Sequence, residues 1–314
     1  MLDDLIRAAE SDDYDAVEEL ADLAAADPQR LAPHLPRLLE QGVLWPPTLY
    51  RGAGADVVAE AVERVDGGRQ PGQLNHLLLI LAHIQDPAAE AALRRWEEQP
   101  PSGLDRLHLS PLGYAVTAGW TVDPEGRRRD LCAPVAYRLV MTPTAPDAAA
   151  PTCPWCESPL MTLLDLDPAD PRVAEVLAHT GWSGRLRFTT CLGCSCYTTL
   201  YGRVTPDGGS TWAPENSAPR HLHRSTEDPP AVLPSVGPAR SSVYQASAWH
   251  PEGSTLGGHP DWIQDAEHPD CLVCGQTMDY VALVGGADLD SGEGAHYLHL
   301  HAPCGVTAVT YQQS

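Results

Sequence analysis

Two sets of closely spaced cysteines are the residues of this sequence whose types and spacing are best suited to chemistry. Residues 153–156 read CPWC and residues 191–196 read CLGCSC, while residues 271–274 read CLVC and residues 301–304 read HAPC. A pair of ligands separated by two residues can present both side chains to one ion from a single turn. Two such pairs complete a tetrahedral site, so the spacing predicts two zinc ions.

Each predicted zinc ion has four protein ligands. The first set is Cys153, Cys156, Cys191 and Cys194, and the second is Cys271, Cys274, His301 and Cys304. Four protein ligands leave no open position for water or substrate, so both ions are predicted to be structural. Cys196 and His299 lie close enough in sequence to remain alternative ligands. Cys132 has no counterpart and is predicted to be a core or connector thiol.

The two ligand sets repeat at constant intervals. The first pair of each set is separated by 118 residues, from Cys153 to Cys271 and from Cys156 to Cys274. The second pair is separated by 110 residues, from Cys191 to His301 and from Cys194 to Cys304. Gly184 matches Gly294 at this second interval, and Tyr201 matches Tyr311 in the same way. The repetition predicts a tandem duplication. Each half would contain a zinc knuckle, which is a turn with one pair of ligands, then a strand, a loop, a strand, a second knuckle and a strand.

The charge of the chain argues against nucleic-acid binding. Its 314 residues carry a formal net charge of -22, all 20 lysine-or-arginine positions are arginine, and residues 241–314 contain acids but no arginine or lysine. Such a field repels phosphate backbones but suits a basic protein partner. The acidic N-terminus does not resemble a signal peptide, and the longest apolar stretch, residues 77–82, is too short to span a bilayer. A reducing cytoplasm is therefore expected, where paired cysteines bind metal rather than form disulfides.

The N-terminal part of the sequence, residues 1–135, has the periodicity of helices. Apolar residues recur at helical spacing in several short stretches, and residues 73–83 are apolar nearly all round, as in a central helix. Short helices joined by tight turns predict an all-α domain of stacked, HEAT-like helix pairs, with an irregular helical domain as the alternative. Residues 136–152 are predicted to be a connector.

Strand patterns dominate the rest of the chain, residues 153–314, which are predicted to form a duplicated β-rich domain. Its halves are predicted at about 153–224 and 240–314, and the proline-rich residues 225–239 between them are expected to be an exposed loop. Strands are predicted at 185–190, 197–204, 281–284, 297–300 and 306–311. The predicted fold class is therefore α+β, with the helical domain first and two zinc knuckle sites in the second.

A possible recognition segment lies between the two halves. Residues 256–264 read LGGHPDWIQ, in which Gly257 and Gly258 allow close backbone approach or a positive φ. Pro260 and Trp262 could offer a rigid apolar surface to a peptide. The alternative interpretation is a buried tryptophan that anchors a tight turn.

Several features occur together in the C-terminal part of the chain: the segment GGHPDWIQ, a following CxxC with a methionine just after it, a second knuckle and the terminal strand TAVTYQQS. In these features the chain resembles the YwqG-like family. Programmed-cell-death-2-type proteins of eukaryotes share that plan. The resemblance covers about residues 153–314 and implies a protein-binding module: bacterial members are regarded as immunity proteins against toxins, and eukaryotic ones as dedicated chaperones. It also implies that Gly257, Gly258, Pro260 and Trp262 lie at or near a client-binding cleft. His301 stands where a cysteine is common.

Motifs of the common enzyme classes are missing from the sequence, which has no P-loop, Rossmann glycine pattern, nucleophile elbow or His-Glu-x-x-His segment. The leading hypothesis is therefore a non-enzymatic, zinc-stabilised protein that binds an unidentified client or toxin. One alternative is a metal-dependent hydrolase that uses His221 and His223 with a neighbouring carboxylate. Another is a structural adaptor without a client. Asp165 and Asp167 are predicted to cap a turn or strand rather than to form a catalytic pair.

Overall fold

The chain folds into two compact units, Met1–Arg129 and Asp130–Ser314. A computed structural model describes residues 2–68, 71–145, 150–222, 230–289 and 293–314. The first unit is helical and the second is built mainly from antiparallel strands. The predicted α+β class, with a helical N-terminal region, is confirmed.

Short α-helices make up the first unit. They are α1 (Leu2–Ala9), α2 (Tyr14–Ala26), α3 (Leu35–Gln41), α4 (Ala55–Gly67), α5 (Leu74–Ile84), α6 (Pro87–Glu98) and α7 (Pro111–Thr117). Short 3₁₀ helices occur between them at Pro28–Arg30, Ala32–His34, Pro47–Gly52, Pro71–Gln73 and Leu104–Arg106. Aspartates begin two of the longer helices: the Asp13 side chain accepts a hydrogen bond from the N–H of Ala16, and Asp86 accepts one from Ala88.

Helix α5 is the centre of this unit, as its apolar composition predicted. It packs against α4, α6 and α7, and its leucine and isoleucine side chains are almost all buried. His83 is half-buried on the same helix, where desolvation lowers its pKa to about 3. A histidine that stays neutral there adds no charge to the core.

Twelve strands are found within the described residues. They are β1 (Trp120–Val122), β2 (Arg128–Asp130), β3 (Ala136–Pro143), β4 (Met161–Leu166), β5 (Leu186–Thr190), β6 (Leu200–Val204), β7 (Ser210–Trp212), β8 (Val232–Ala239), β9 (Thr255–Gly257), β10 (Asp279–Gly285), β11 (Ala295–His301) and β12 (Val306–Gln312). Three short helices lie among them, α8 (Pro171–Leu177), α9 (Leu192–Ser195) and α10 (Gly286–Leu289), with 3₁₀ turns at Ala178–Thr180 and Ala302–Cys304.

An eight-stranded sheet forms the body of the second unit, in the order β7-β6-β12-β11-β10-β9-β3-β8. Its neighbouring strands are antiparallel, and every residue of β10 and β11 is buried. One apolar cluster includes Leu298 of β11 together with Val176 of α8, and a second includes Tyr280 and Tyr297. The central strands are therefore covered on both faces. β4 and β5 pair with each other in a separate two-stranded sheet, as do β1 and β2.

Two predicted irregular segments are in fact strands. Residues 136–143 of the predicted connector form β3, which pairs with both β8 and β9. Residues 232–239 of the predicted proline-rich loop form β8, where Pro234 pairs with Met141. β8 stands at the edge of the sheet, and an edge strand accommodates proline because its outward side needs no N–H donor. Residues 223–229 lie outside the described residues.

Hairpins β4–β5 and β10–β11 have the same register. Met161 pairs with Thr190 in the first, and Asp279 pairs with Leu300 in the second. Asp279 lies 118 residues after Met161 and Leu300 lies 110 residues after Thr190, which are the intervals that separate the two sets of predicted ligands. Each first strand also shifts its pairing at the same place, between Thr162 and Leu164 in β4 and between Tyr280 and Ala282 in β10. The two hairpins therefore share a β-bulge as well as their strand pairing.

The β4–β5 hairpin carries an ion pair on one face. The Asp165 carboxylate is only 10% exposed and accepts hydrogen bonds from Arg185 at 2.7 Å and Arg187 at 2.8 Å. Burial acts to raise the pKa of Asp165, but the two guanidinium groups outweigh it and lower that pKa. Asp165 therefore stabilises the hairpin by pairing with arginines of its second strand. Asp167 accepts a hydrogen bond from the N–H of Ala169 in the following turn.

Asp165→Asn is expected to lower the free energy of unfolding by about 1–2 kcal/mol at pH 7, because it leaves two partly exposed arginines without their anion. The contribution of the carboxylate is present above its unfolded pKa of about 3.9 and is lost as pH falls through the lowered folded value. Urea unfolding at pH 7 and pH 3 measures both effects. Asp167→Asn, which keeps an oxygen acceptor at an exposed position, should change little; equal effects of the two substitutions would contradict this role.

Candidate metal centres

The first predicted ligand set is assembled by the ends of the β4–β5 hairpin. Cys153 and Cys156 precede β4, while Cys191 follows β5 and caps helix α9, which contains Cys194. All four side chains are buried, and their sulfur atoms lie within 4.8 Å of one another. The Sγ atoms of Cys153 and Cys194 are 3.7 Å apart, and those of Cys156 and Cys191 are 3.4 Å apart.

The second predicted set is placed in the same way by β10 and β11. Cys271 and Cys274 precede β10, His301 is the last residue of β11, and Cys304 ends the 3₁₀ turn that follows. Their ligand atoms also lie within 4.8 Å of one another. Cys274 Sγ is 3.6 Å from Nε2 of His301 and 3.8 Å from Nδ1. Gln276 Oε1 is 3.4 Å from Nε2, so it could accept a hydrogen bond there and leave Nδ1 to face an ion.

The backbone turns around the two CxxC pairs share their hydrogen bonds. The N–H of Cys153 donates to the carbonyl of Ser158 at 2.8 Å, and the N–H of Cys271 donates to the carbonyl of Gln276 at the same distance. Each turn contains one residue in the left-handed region, Glu157 with φ 68° and Gly275 with φ 71°. These turns point both cysteines of a pair to the same side.

These distances fit a tetrahedral ion. With a zinc–sulfur bond of about 2.3 Å, two sulfurs of a regular tetrahedron lie about 3.8 Å apart. The sulfur–sulfur distances of 3.4 and 3.7 Å in the first cluster are close to that value. Both clusters could therefore hold a metal ion, and the soft donor set of thiolates with one imidazole suits zinc among the common divalent ions.

The thiols of the first cluster resist ionising together. Burial raises the pKa of Cys191 to about 12 and raises the pKa of Cys194 as well. Burial also opposes ionisation of Cys156, yet hydrogen bonds from Ser158 lower its pKa to about 7. Thiols bind metal as thiolates, so an ion entering this cluster must displace protons.

Three residues that sequence spacing left as alternatives or spares lie outside both clusters. Cys196 is exposed, and its sulfur donates to the carbonyl of Leu192 at 3.3 Å. His299 is fully buried and its ring is 6.3 Å from that of Trp262 and 5.9 Å from that of Tyr280. Cys132 is buried in the apolar cluster that contains Tyr280 and Tyr297, as a core thiol should be.

His301→Phe and His299→Phe are expected to differ in metal content although the two histidines are only two residues apart on β11. Loss of His301 removes one of four ligands and should reduce the second site to substoichiometric metal. His299→Phe removes an imidazole whose two nitrogens are buried without a hydrogen-bond partner among the described residues, so metal content should stay unchanged. Elemental analysis of the purified variants makes the comparison. Metal loss from both variants would contradict the ligand assignment.

Most of the predicted recognition segment is buried. Gly257 ends strand β9 and Gly258 follows it, both buried, and Pro260 is also buried. Trp262 is half-buried and stacks on Tyr297 with ring centroids 4.5 Å apart. A Cβ atom at Gly257 would lie 2.4 Å from the carbonyl oxygen of Val135, so the glycines are needed for strand packing. Trp262 is the one of the four predicted residues that keeps exposed surface.

Of the residues of the hydrolase alternative, the structure describes His221. His221 is exposed and belongs to neither four-residue cluster. His223, Glu227 and Asp228 lie outside the described residues. Among the helices that are described, each is too short or too polar to cross a lipid bilayer.

Together the fold and the clusters define an α+β protein with two four-residue sites that could bind metal. The chain is 32% identical over 274 residues to the uncharacterized protein YpfL of Salmonella typhimurium strain LT2, a match that covers 82% of this chain and 62% of YpfL. The chain thus spans less than two thirds of that relative's length. No family model matches the sequence. No solved structure matches it.

Proposed function

We propose that this protein is a non-enzymatic binding protein whose β-rich unit is stabilised by two structural zinc ions. The observation that carries the proposal is the pair of closed ligand clusters, each with four donors within 4.8 Å. A zinc ion with four protein ligands has no position for a substrate or an attacking water. Such ions contribute folding energy rather than catalysis.

Tandem duplication is a second part of the proposal. Its support is the common register of hairpins β4–β5 and β10–β11, which includes the shared β-bulge and follows the intervals of 118 and 110 residues. The matching hydrogen bonds of the two CxxC turns add to this support. Duplicated modules that pair side by side, as β6 pairs with β12, can form a surface to which both halves contribute.

The partner is proposed to be a protein, either a toxin that is neutralised or a client that is chaperoned in a cytoplasmic setting. The net charge of -22 favours a basic partner over nucleic acid, because like charges repel and opposite charges steer association. The resemblance of residues 153–314 to YwqG-like proteins points the same way. In this proposal the helical unit, predicted to stack helix pairs in a HEAT-like manner, offers a further surface.

Native mass spectrometry of the protein purified from its own host without chelators tests the proposal, because it reports metals and companions together. Two zinc ions and a stoichiometric second protein are the expected result. A third, loosely held metal ion would instead favour the hydrolase. Two zinc ions without any companion, under conditions that include toxin production and stress, would contradict the binding function and favour a structural adaptor.

A further inference from the structure

The two CxxC turns differ in how the rest of the chain covers them. In the first, the Trp155 ring packs edge-on against Trp212, with ring centroids 4.9 Å apart, and Leu222 packs on the same cluster. Trp212 ends strand β7 and Leu222 lies ten residues further along the chain, so one continuous segment covers this turn. Cys156 is only 5% exposed beneath it.

The equivalent turn of the second cluster, residues 271–274, is open; we call it the open knuckle. Leu272 is 38% exposed, Val273 is 54% exposed, and Cys274 is exposed as well. Val273 stands 118 residues after Trp155, at the position that an aromatic ring covers in the first cluster. The open knuckle therefore exposes two consecutive apolar side chains where the first cluster has a covered tryptophan.

The surroundings of the open knuckle are negatively charged. Asp265, Glu267 and Asp270 are exposed just before it. The side-chain partners of Glu267 and Asp270 are the hydroxyl groups of Thr199 and Thr277, which carry no charge to offset the carboxylates. Three thiolates and a neutral histidine around a divalent ion would add about one further negative charge. A second copy of this acidic chain would be repelled, whereas a basic segment would be attracted.

We infer that the open knuckle binds a partner segment that presents an aromatic side chain between arginine or lysine residues. The aromatic ring would lie on Leu272 and Val273 as Trp212 lies on Trp155, and the basic residues would face Glu267 and Asp270. This inference rests on the proposed binding function and adds the chemistry of the partner segment. It places the contact on the CxxC turn instead of the largely buried residues 257–260.

A synthetic nine-residue peptide with a central tryptophan and two arginines on each side, labelled with fluorescein, is the probe. Fluorescence anisotropy should show saturable binding to the metal-loaded protein that weakens as salt is raised, because part of the attraction is electrostatic. The double variant Leu272→Ser, Val273→Ser should bind at least about tenfold more weakly, since it loses the apolar contact. A peptide with glutamate in place of arginine should not bind.

Leu109→Ser is the matched control, because Leu109 is 41% exposed and belongs to the helical unit. It should bind the peptide as the wild type does. Metal content and circular dichroism verify that the double variant is folded, as expected for substitution of two exposed side chains. The inference is overturned if the wild type shows no saturable binding, if the double variant binds as tightly as the wild type, or if the acidic peptide binds as tightly as the basic one. A dimer in solution that the double variant breaks would also overturn it.

The proposed binding function and this inference can fail separately. If the wild-type protein carries a companion and the double variant carries as much of it, the inference is wrong while the binding function stands. If the wild-type protein carries no companion, the binding function is contradicted, and the peptide titration still decides whether the open knuckle takes a basic aromatic segment.

Discussion

Cys153→Ser is expected to abolish metal binding at the first cluster and to unfold the hairpin around it. A serine hydroxyl is a poor zinc ligand, so the substitution leaves three thiolates in a buried site that needs four donors. Apparent binding free energies of structural zinc sites are about 10–16 kcal/mol at pH 7. Loss of half of that, about 5–8 kcal/mol, is comparable with the whole stability of many domains, which is about 5–15 kcal/mol.

Metal stoichiometry by native mass spectrometry should fall from two to one in the Cys153→Ser variant, with loss of β-sheet signal in circular dichroism. The helical unit should keep its signal because its core contains no ligand of either cluster. Cys196→Ser provides the control, since Cys196 is exposed and lies outside both clusters. A folded Cys153→Ser protein that retains two ions would show that the first cluster is not a metal site.

Gly257→Ala is expected to lower the free energy of unfolding by about 2–5 kcal/mol. The φ angle of Gly257 is +74°, a left-handed conformation that costs a residue with a Cβ atom about 1–2 kcal/mol. The added Cβ would also lie 2.4 Å from the carbonyl oxygen of Val135 and 3.0 Å from a methyl group of Val176. Relief of these overlaps requires movement of buried backbone, which costs about a further 1–3 kcal/mol.

Gly181→Ala separates the two contributions to that cost. Gly181 has a φ angle of +73°, but a Cβ atom there would meet nothing within 4 Å. Gly181→Ala should therefore lower the free energy of unfolding by the conformational part alone, about 1–2 kcal/mol. Urea unfolding of both variants, followed by a sheet-sensitive signal, makes the comparison. Equal losses would mean that strand β9 tolerates an extra methyl group, and that its glycines are not required for packing.

The two candidate metal clusters could be predicted from the sequence because their residues come in short, rigid pairs. Two residues between Cys153 and Cys156 fix the local turn, and a repeated interval then matches each pair with its counterpart. Strands β5 and β12 near the clusters were also predictable, since β5 alternates between apolar and polar residues and β12 is rich in valine and threonine. In all of these segments, residues close together in the sequence determine the local structure.

Other elements depended on partners that the sequence does not reveal. β8 contains prolines that normally break a strand, and only its position at the edge of the sheet makes them acceptable. β3 joins the large sheet by pairing with β9, and β9 has only three residues, too few to be recognised by periodicity. Gly257 and Gly258 permitted either an open recognition loop or tight packing, and only the neighbouring Val135 and Val243 carbonyls decide for packing.

The position of β12 in the sheet has a consequence for how the protein is made. β12 separates β6 from β11, so β6 cannot complete its pairing until residues about 100 positions later have been synthesised. At about 5–20 residues per second, that strand waits roughly 5–20 s on the ribosome. The first cluster, by contrast, needs only residues 153–194. Hairpin β4–β5 and the four residues of the first cluster can therefore come together while the rest of the sheet is still being made.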